Sequence, residues 1–475
     1  MSIELSWAKK SLVLLAAFAA MLFDGFELGL MPVASLSVTQ DLLGGSYTAS
    51  LGGEWFASYT AGLMLGAAVG GIFLGQVGDT FGRARALGIS IIFYSLFAGL
   101  GAFVTTPLQM LVLRFMVGLG VGGVWPNAVA LVAECWPDKS RPIVAGLIGA
   151  ALNGGILLLS QIAQHWHITP DSWRWIFHLA GVPAVLGILI FFFLPDSPKW
   201  IAFKLNERTV VAHESGFSLL LLFKPPLLIL TLTGIILGTV PLVGAWAASK
   251  WMIPWADKLG GVIDPGYKAV TQGWWAVGAV LGSFFGAQIA SFLGRRLSYF
   301  IFSLGSTTLT LLLFLVTKPL EVSFLPIVLA QGFVATLFFG WLPLYLPALF
   351  PIRVRAAGSG ISYNVGRFVT AIGVFFAGTL FVFLGGSYSH IGAICGLIYL
   401  LGAISKSFDA KVGQMGSWIA ANTVLCLGMY KLTKLPLSET ELFFGVLLVL
   451  TVTLLMVLMG LILPLTYRKA NDSIG

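Results

Sequence analysis

An all-helical membrane protein that crosses the bilayer many times is the fold class predicted here, and three observations predict it. Of 475 residues 58% are hydrophobic and only 10% are charged, with a mean hydropathy of +0.94, far outside the balance of a soluble domain. The apolar residues fall into a series of stretches, each near the ~20 residues that span a hydrocarbon core of ~30 Å. The basic residues gather in alternate connections between those stretches.

The first apolar stretch, 11–36, follows Lys9-Lys10 and carries Asp24 and Glu27. Its basic start and the Ala17-Phe18-Ala19 sequence resemble a secretion signal, but its length and its two acids predict a retained span. Spans follow at 54–78, 86–104, 107–135, 142–164 and 174–194. The longest polar interruption runs from Pro195-Asp196-Ser197-Pro198 to Lys224-Pro225-Pro226 and reads as a linker over 195–224. Six further spans are predicted at 226–248, 270–291, 297–316, 322–350, 356–384 and 388–405. Two more, 413–430 and 441–465, bring the number to fourteen. The first of these is short and broken by Asn422, so an interfacial or re-entrant segment is its alternative reading. The predicted organisation is a six-helix bundle over 1–194, the linker, a second six-helix bundle over 225–405, and an additional hairpin over 406–475.

With the amino terminus in the cytoplasm, most of the 27 lysines and arginines lie on the inner side, among them Lys9, Lys10, Arg83, Arg85, Arg295 and Arg296. Arg174, Lys250, Lys258, Lys268, Lys318, Lys431 and Lys434 are assigned to the outer side, and Arg114 and Arg367 lie inside apolar spans. This asymmetry predicts that both termini are cytoplasmic and that the net charge of +8 reports topology rather than nucleic-acid binding. Cys135, Cys395 and Cys426 are far apart and sit in or beside apolar segments, so neither a disulfide framework nor a metal site is indicated. No phosphate-binding loop or catalytic constellation is present. The expectation is a monomer in the cell membrane, without cofactor or enzymatic activity.

The connection after the second span reads Gly75-x-x-x-Asp79-x-x-Gly82-Arg83-x-Arg85, and Gly286-x-x-x-Ala290-x-x-x-Gly294-Arg295-Arg296 echoes it after the eighth. An Arg-x-x-x-Gly-x-Gly sequence, Arg114 to Gly120, opens the fourth span. On these residues the chain resembles the major facilitator superfamily over roughly 1–405. Its loop signature is Gly-x-x-x-Asp-(Arg/Lys)-x-Gly-(Arg/Lys)-(Arg/Lys), and here Thr80 stands where a base is usual. Asp24-Gly25-Phe26-Glu27, Leu346-Pro347-Ala348-Leu349-Phe350-Pro351 and Tyr363-Asn364-Val365-Gly366-Arg367 resemble the sialate and aromatic-acid proton symporters, and sugar-porter-like members share several of these pieces. The resemblance implies a secondary transporter, with a small-molecule substrate and a proton moved by alternating access.

The site residues follow from depth and charge. At 1.5 Å per residue Asp24 lies roughly 20 Å from one face and Arg114 roughly 12 Å from the other, nearly level in the core. The resemblance places the first and fourth helices on the central cavity. An Asp24–Arg114 pair with Glu27 one turn away is therefore the expected proton site, against the plainer reading that these charges only hold helices together. Arg367, with Asn364 and Tyr363 beside it, needs an anion. A substrate carboxylate, a structural acid and a proton-coupling role are the three readings.

Tyr59, Asn153, Gln161, Gln272 and Gln331 are candidate cavity residues, although each alone is as well explained by helix-to-helix hydrogen bonding. Trp246, Trp274, Trp275 and Trp341 are candidates to stack on a ring. Gly66/Gly70, Gly118/Gly122 and Gly278/Gly282 have the spacing of close helix approach. Gly75, Asp79, Gly82, Arg83 and Arg85 predict a cytoplasmic latch. In it Asp79 meets a helix end or Arg141, and Arg83 meets Glu134 or Asp138. Ala290 and Ser291 remove the acid from the second-half copy, and Ala348 stands where an acid is often found, so the latch is expected to be one-sided. The functional expectation is a proton-coupled carrier of a small organic anion. A carrier of a neutral sugar or polyol is the alternative, and a non-transporting membrane sensor or scaffold is the alternative from another class.

Overall fold

The computed structural model describes residues 6–136, 141–198, 200–201, 222–350 and 355–404. Among them every regular element is helical, and eleven helices are long and apolar enough to cross a membrane. In chain order these are α1 (Trp7–Leu43), α2 (Ala49–Phe81), α3 (Arg83–Leu100), α4 (Pro107–Cys135), α5 (Arg141–His165), α6 (Arg174–Phe193), α7 (Leu227–Gly260), α8 (Tyr267–Leu293), α9 (Arg295–Leu315), α10 (Phe324–Tyr345) and α11 (Arg355–Phe383). A twelfth, shorter apolar helix is α12 (Tyr388–Ala403). The predicted hairpin over 413–430 and 441–465 and most of the 195–224 linker lie outside the described residues.

Local chemistry sets the helix ends. Ser6, Thr48 and Ser387 accept hydrogen bonds from the first turns of α1, α2 and α12. Thr106 and Gln109 form a reciprocal capping box, with Pro107 as the first residue of α4. α3 begins at Gly82, whose φ of +111° suits glycine and which carries no capping side chain of its own. The predicted turn over 75–85 is therefore much tighter than expected: α2 runs on to Phe81, and one residue separates two helices.

α2 packs on α4, α1 on α5 and α3 on α4 and α6. The second set repeats this, with α8 on α10, α7 on α11 and α9 on α10 and α12. A Cβ at Gly66 would collide with the Phe115 carbonyl, and one at Gly118 with that of Leu63. At Gly278 and Gly282 it would meet the carbonyls of Leu329 and Phe333. The small-residue spacing thus brings backbones into contact in corresponding helix pairs. The two sets meet along α5–α8 and α2–α11.

Two helices depart from the predicted form. α7 does not stop at 248. It passes through a π-turn over Gly244–Ala248 and a 3-10 turn over Ser249–Trp251 before resuming at Met252. α10 ends at Tyr345 and gives way to a 3-10 turn, Pro347–Leu349, inside the predicted 322–350 span.

Candidate functional site

Asp24 and Glu27 lie on α1 where that helix touches α5. A Cβ at Gly25 would strike the Leu152 carbonyl and one at Gly155 that of Leu22, so the two helices approach closely and bury both acids. Arg114 of α4 is fully buried and forms an ion pair with Glu27. The expected Asp24–Arg114 pair is replaced, because the guanidinium lies at the Glu27 end of the Asp24–Glu27 turn. Arg114 also faces the Phe177 ring at 5.6 Å.

Asp24 is instead influenced by Arg367 of α11, and its Oδ1 has no hydrogen-bond partner. Arg367 stands 5.0 Å over the Tyr363 ring, and Tyr363 stacks on Trp125 of α4 at 6.5 Å. Asn364, one turn earlier, bonds the Gly360 carbonyl at 3.0 Å and packs against Gly71 of α2. The residues singled out in three separate spans are therefore brought to one region, with Glu27 paired to Arg114 and Asp24 within the electrostatic influence of Arg367. Trp125 was not anticipated, although it closes the glycine run that begins at Arg114.

The amide candidates hold helices to one another. Asn153 donates to Ser283 at 2.8 Å, joining α5 to α8. Gln272 donates to the Gly29 carbonyl at 3.1 Å and to Ser160 at 3.2 Å. Gln331 accepts from the Trp275 indole at 2.8 Å and donates to Ser249 at 2.6 Å. Tyr59 is buried beside Trp55, whereas the Gln161 side chain is exposed. The Trp341 N–H is taken by the Arg295 carbonyl at 2.9 Å, next to the Gly294 turn. Trp274 is 40% exposed on the outside of α8.

Lys250 does not occupy the loop in which sequence reasoning put it. Continuation of α7 through its irregular turns carries Lys250 inward, where it is 2% exposed. Its Nζ has no hydrogen-bond partner and no acid acts on it. It sits 3.5 Å from the centre of the Trp275 ring and 5.8 Å from that of Trp246. Placing a lysine at the centre of a spanning helix costs roughly 3 kcal/mol on insertion scales. A desolvated cation–ring contact returns about 2 kcal/mol. The rings thus offset much of the cost of burial.

Where the α1–α2 connection lies, a cavity of about 340 Å³ opens among residues including Ser37, Tyr47, Asp257, Lys258, Lys268 and Tyr388. Lys268 donates to Asp257 at 3.1 Å and to Ser37 of α1 at 3.0 Å, binding the two helix sets at this end.

At the opposite end Arg83 pairs with Asp79 and approaches Glu134 at 3.8 Å. Asp79 is 63% exposed, so its contact with Arg83 is a surface pair within one helical turn. The acid that meets the helix end is Asp196, which accepts from the Arg83 and Ala84 amides at 2.9 and 3.4 Å. A Cβ at Gly82 would collide with that carboxylate. Trp200 donates to the Asp79 carbonyl at 2.8 Å. Gly78 packs against Asn127, whereas a Cβ at Gly75 would meet nothing within 4 Å, so close approach at Gly75 is corrected. Arg85 is exposed, and the side chains of Arg141 and Asp138 lie outside the described residues.

Comparison with known proteins agrees with this architecture. Residues 13–260 match the sequence profile of the Major Facilitator Superfamily. The chain is 29% identical over 409 residues to a cis,cis-muconate transport protein of Acinetobacter baylyi, covering 84% of this chain and 95% of that one. It is 30% identical over 190 residues to inositol transporter 4 of Arabidopsis thaliana, covering 40% and 32%. Among solved structures, a proton:xylose symporter superposes with a TM-score of 0.64 at 16% identity, covering 83% of this chain and 95% of that one.

Proposed function

Because the chain belongs to the Major Facilitator Superfamily, whose members here are transporters and not enzymes, we propose that it carries a small organic anion across the membrane together with a proton. The observation that carries this reading is the charge balance of the core. The buried charges at this depth are two acids, Asp24 and Glu27, and three bases, Arg114, Arg367 and Lys250, so one cation is left over when both acids are ionised. A bound carboxylate completes the set. Similarity to a cis,cis-muconate transport protein supports an acidic substrate.

In this reading Asp24 and Arg367 form the coupling pair. While Asp24 is ionised it holds Arg367; a proton on Asp24 releases the guanidinium, whose planar fork can then grip an anion. Glu27 and Arg114 hold α1 to α4 beside that pair. The two six-helix sets, joined by the 195–224 linker, rock about the centre. The Lys268–Ser37 contact joins the two sets at one end, and the Gly82 turn seated on Asp196 lies at the other. We place the Gly82 end and both termini in the cytoplasm, following the basic residues, and take the working unit to be a monomer.

A second reading, transport of a neutral sugar or polyol, is favoured by the inositol relative. Against it, the amides of Asn153, Gln272 and Gln331 already bond to protein groups. Uptake into proteoliposomes of radiolabelled benzoate, cis,cis-muconate, inositol and xylose, with and without an imposed pH gradient, tests the proposal. Accumulation of an acid that requires the gradient is expected. Uptake confined to inositol or xylose favours the second reading, and no uptake of any solute leaves the sensor or scaffold.

A further inference from the structure

We propose that Lys250, with the Trp275 and Trp246 rings beside it, is the seat of the substrate's carboxylate and selects planar, conjugated carboxylic acids. The inference rests on the organic-anion reading and assigns it a site in α7 rather than on the arginine of α11.

Three independent observations converge on this position. The first is partnership. Among the buried charged side chains of the described helices, Arg114 pairs with Glu27 and Arg367 acts on Asp24 and stands over the Tyr363 ring, while Lys250 has neither a hydrogen bond nor an acid. The second is the backbone. Lys250 stands just beyond a π-turn, inside a 3-10 turn, and such interruptions of spanning helices recur where ligands bind and helices hinge. Gly244, at the start of the π-turn, packs directly on the Tyr399 ring, and Ser249 bonds to Gln331, so the irregular segment is held on both sides.

The third is depth and approach. Trp275 lies one turn along α8 from Gln272, which bonds Gly29 of α1, so the lysine and its rings are level with Phe26 and Glu27. Asp257, on the wall of the open cavity, is seven residues further along α7, roughly 10 Å at helical rise. Lys258 and Lys268 line that cavity too, Lys268 being paired with Asp257.

The rings define the chemistry. A carboxylate drawn to Nζ holds whatever is attached to it beside the indole rings of Trp275 and Trp246. A flat, conjugated body stacks there, whereas a saturated polyol offers neither a charge for Nζ nor a face for the rings.

The test uses the full chain in proteoliposomes. Uptake of labelled benzoate and of labelled cis,cis-muconate is each competed by the unlabelled acid and by its methyl ester. The wild type should prefer acid to ester. In Lys250→Met that preference should fall by about tenfold or more, the value of one charge-assisted hydrogen bond, and Lys250→Arg should retain it. Wild-type KM and wild-type preference in Lys250→Met overturn the assignment while leaving the anion reading intact. Inositol uptake without acid uptake by the wild type overturns both. If Lys250→Met is not recovered folded, Trp275→Leu decides. It should weaken benzoate by about two- to tenfold relative to propionate, and equal effects on the two acids overturn the proposal.

Discussion

At Arg114 the cost of burial and the role of a partner can be separated. Its ion pair with Glu27 has no water to replace a lost partner, so Arg114→Gln or Glu27→Gln alone leaves a charge uncompensated, at about 3–5 kcal/mol. The double substitution removes both charges and should recover folded, monodisperse protein that neither single variant yields. Equal yields from all three, measured by size-exclusion of the solubilised protein, would show that the pair does not hold α1 to α4. Asp24 behaves differently, because its carboxylate lacks a hydrogen bond and answers to Arg367 across a helix boundary. Asp24→Asn is expected to fold, to lose accumulation driven by a pH gradient and to keep exchange of labelled for unlabelled substrate. Gradient-driven accumulation by that variant would remove Asp24 from coupling.

Helices in this chain are set by two kinds of signal with different force. The α2–α4 contact depends on missing side chains, since Cβ atoms at Gly66 and Gly118 would meet carbonyl oxygens. Gly118→Val should separate the helices and abolish the folded transporter. Gly75 belongs to the loop signature yet touches nothing, so Gly75→Ala removes a flexible residue from the interior of α2 and should stabilise by roughly 0.5–1 kcal/mol. A lowered thermal midpoint for Gly75→Ala would contradict this. The charged run from Asp79 to Arg85 was legible as a functional loop, but its working contact was not. Asp196 arrives from more than a hundred residues away to cap α3, and no spacing rule connects the two. Lys250 was misplaced for a related reason: hydropathy falls after residue 248, while the helix continues because its irregular turns are packed from outside.

Across the whole molecule, our proposal is that the turn at Gly82 biases which face the central site opens to. The pair Asp79–Arg83 is exposed and worth at most a few tenths of a kcal/mol, whereas a cap such as Asp196 contributes roughly 1 kcal/mol. Asp196→Ala is therefore expected to shift the population toward opening at the Gly82 end by about fivefold, and Asp79→Asn by much less. Reaction of a cysteine placed in the cavity with a membrane-impermeant reagent measures both, and an equal shift would sink the ranking. Composition and the run of apolar stretches alone determined that this chain is a helical membrane protein and which buried charges need explaining, while of the twelve spans expected before residue 405 eleven are long enough to cross and the twelfth is a shorter apolar helix. They could do so because the bilayer imposes a length and a cost on every segment separately. Which acid meets which base, that Asp196 rather than Asp79 seats the turn, and that Lys250 lies inside with two indole rings were decided only by tertiary structure. Those outcomes are differences between alternative pairings of similar local cost, and only the packing of distant helices tells them apart.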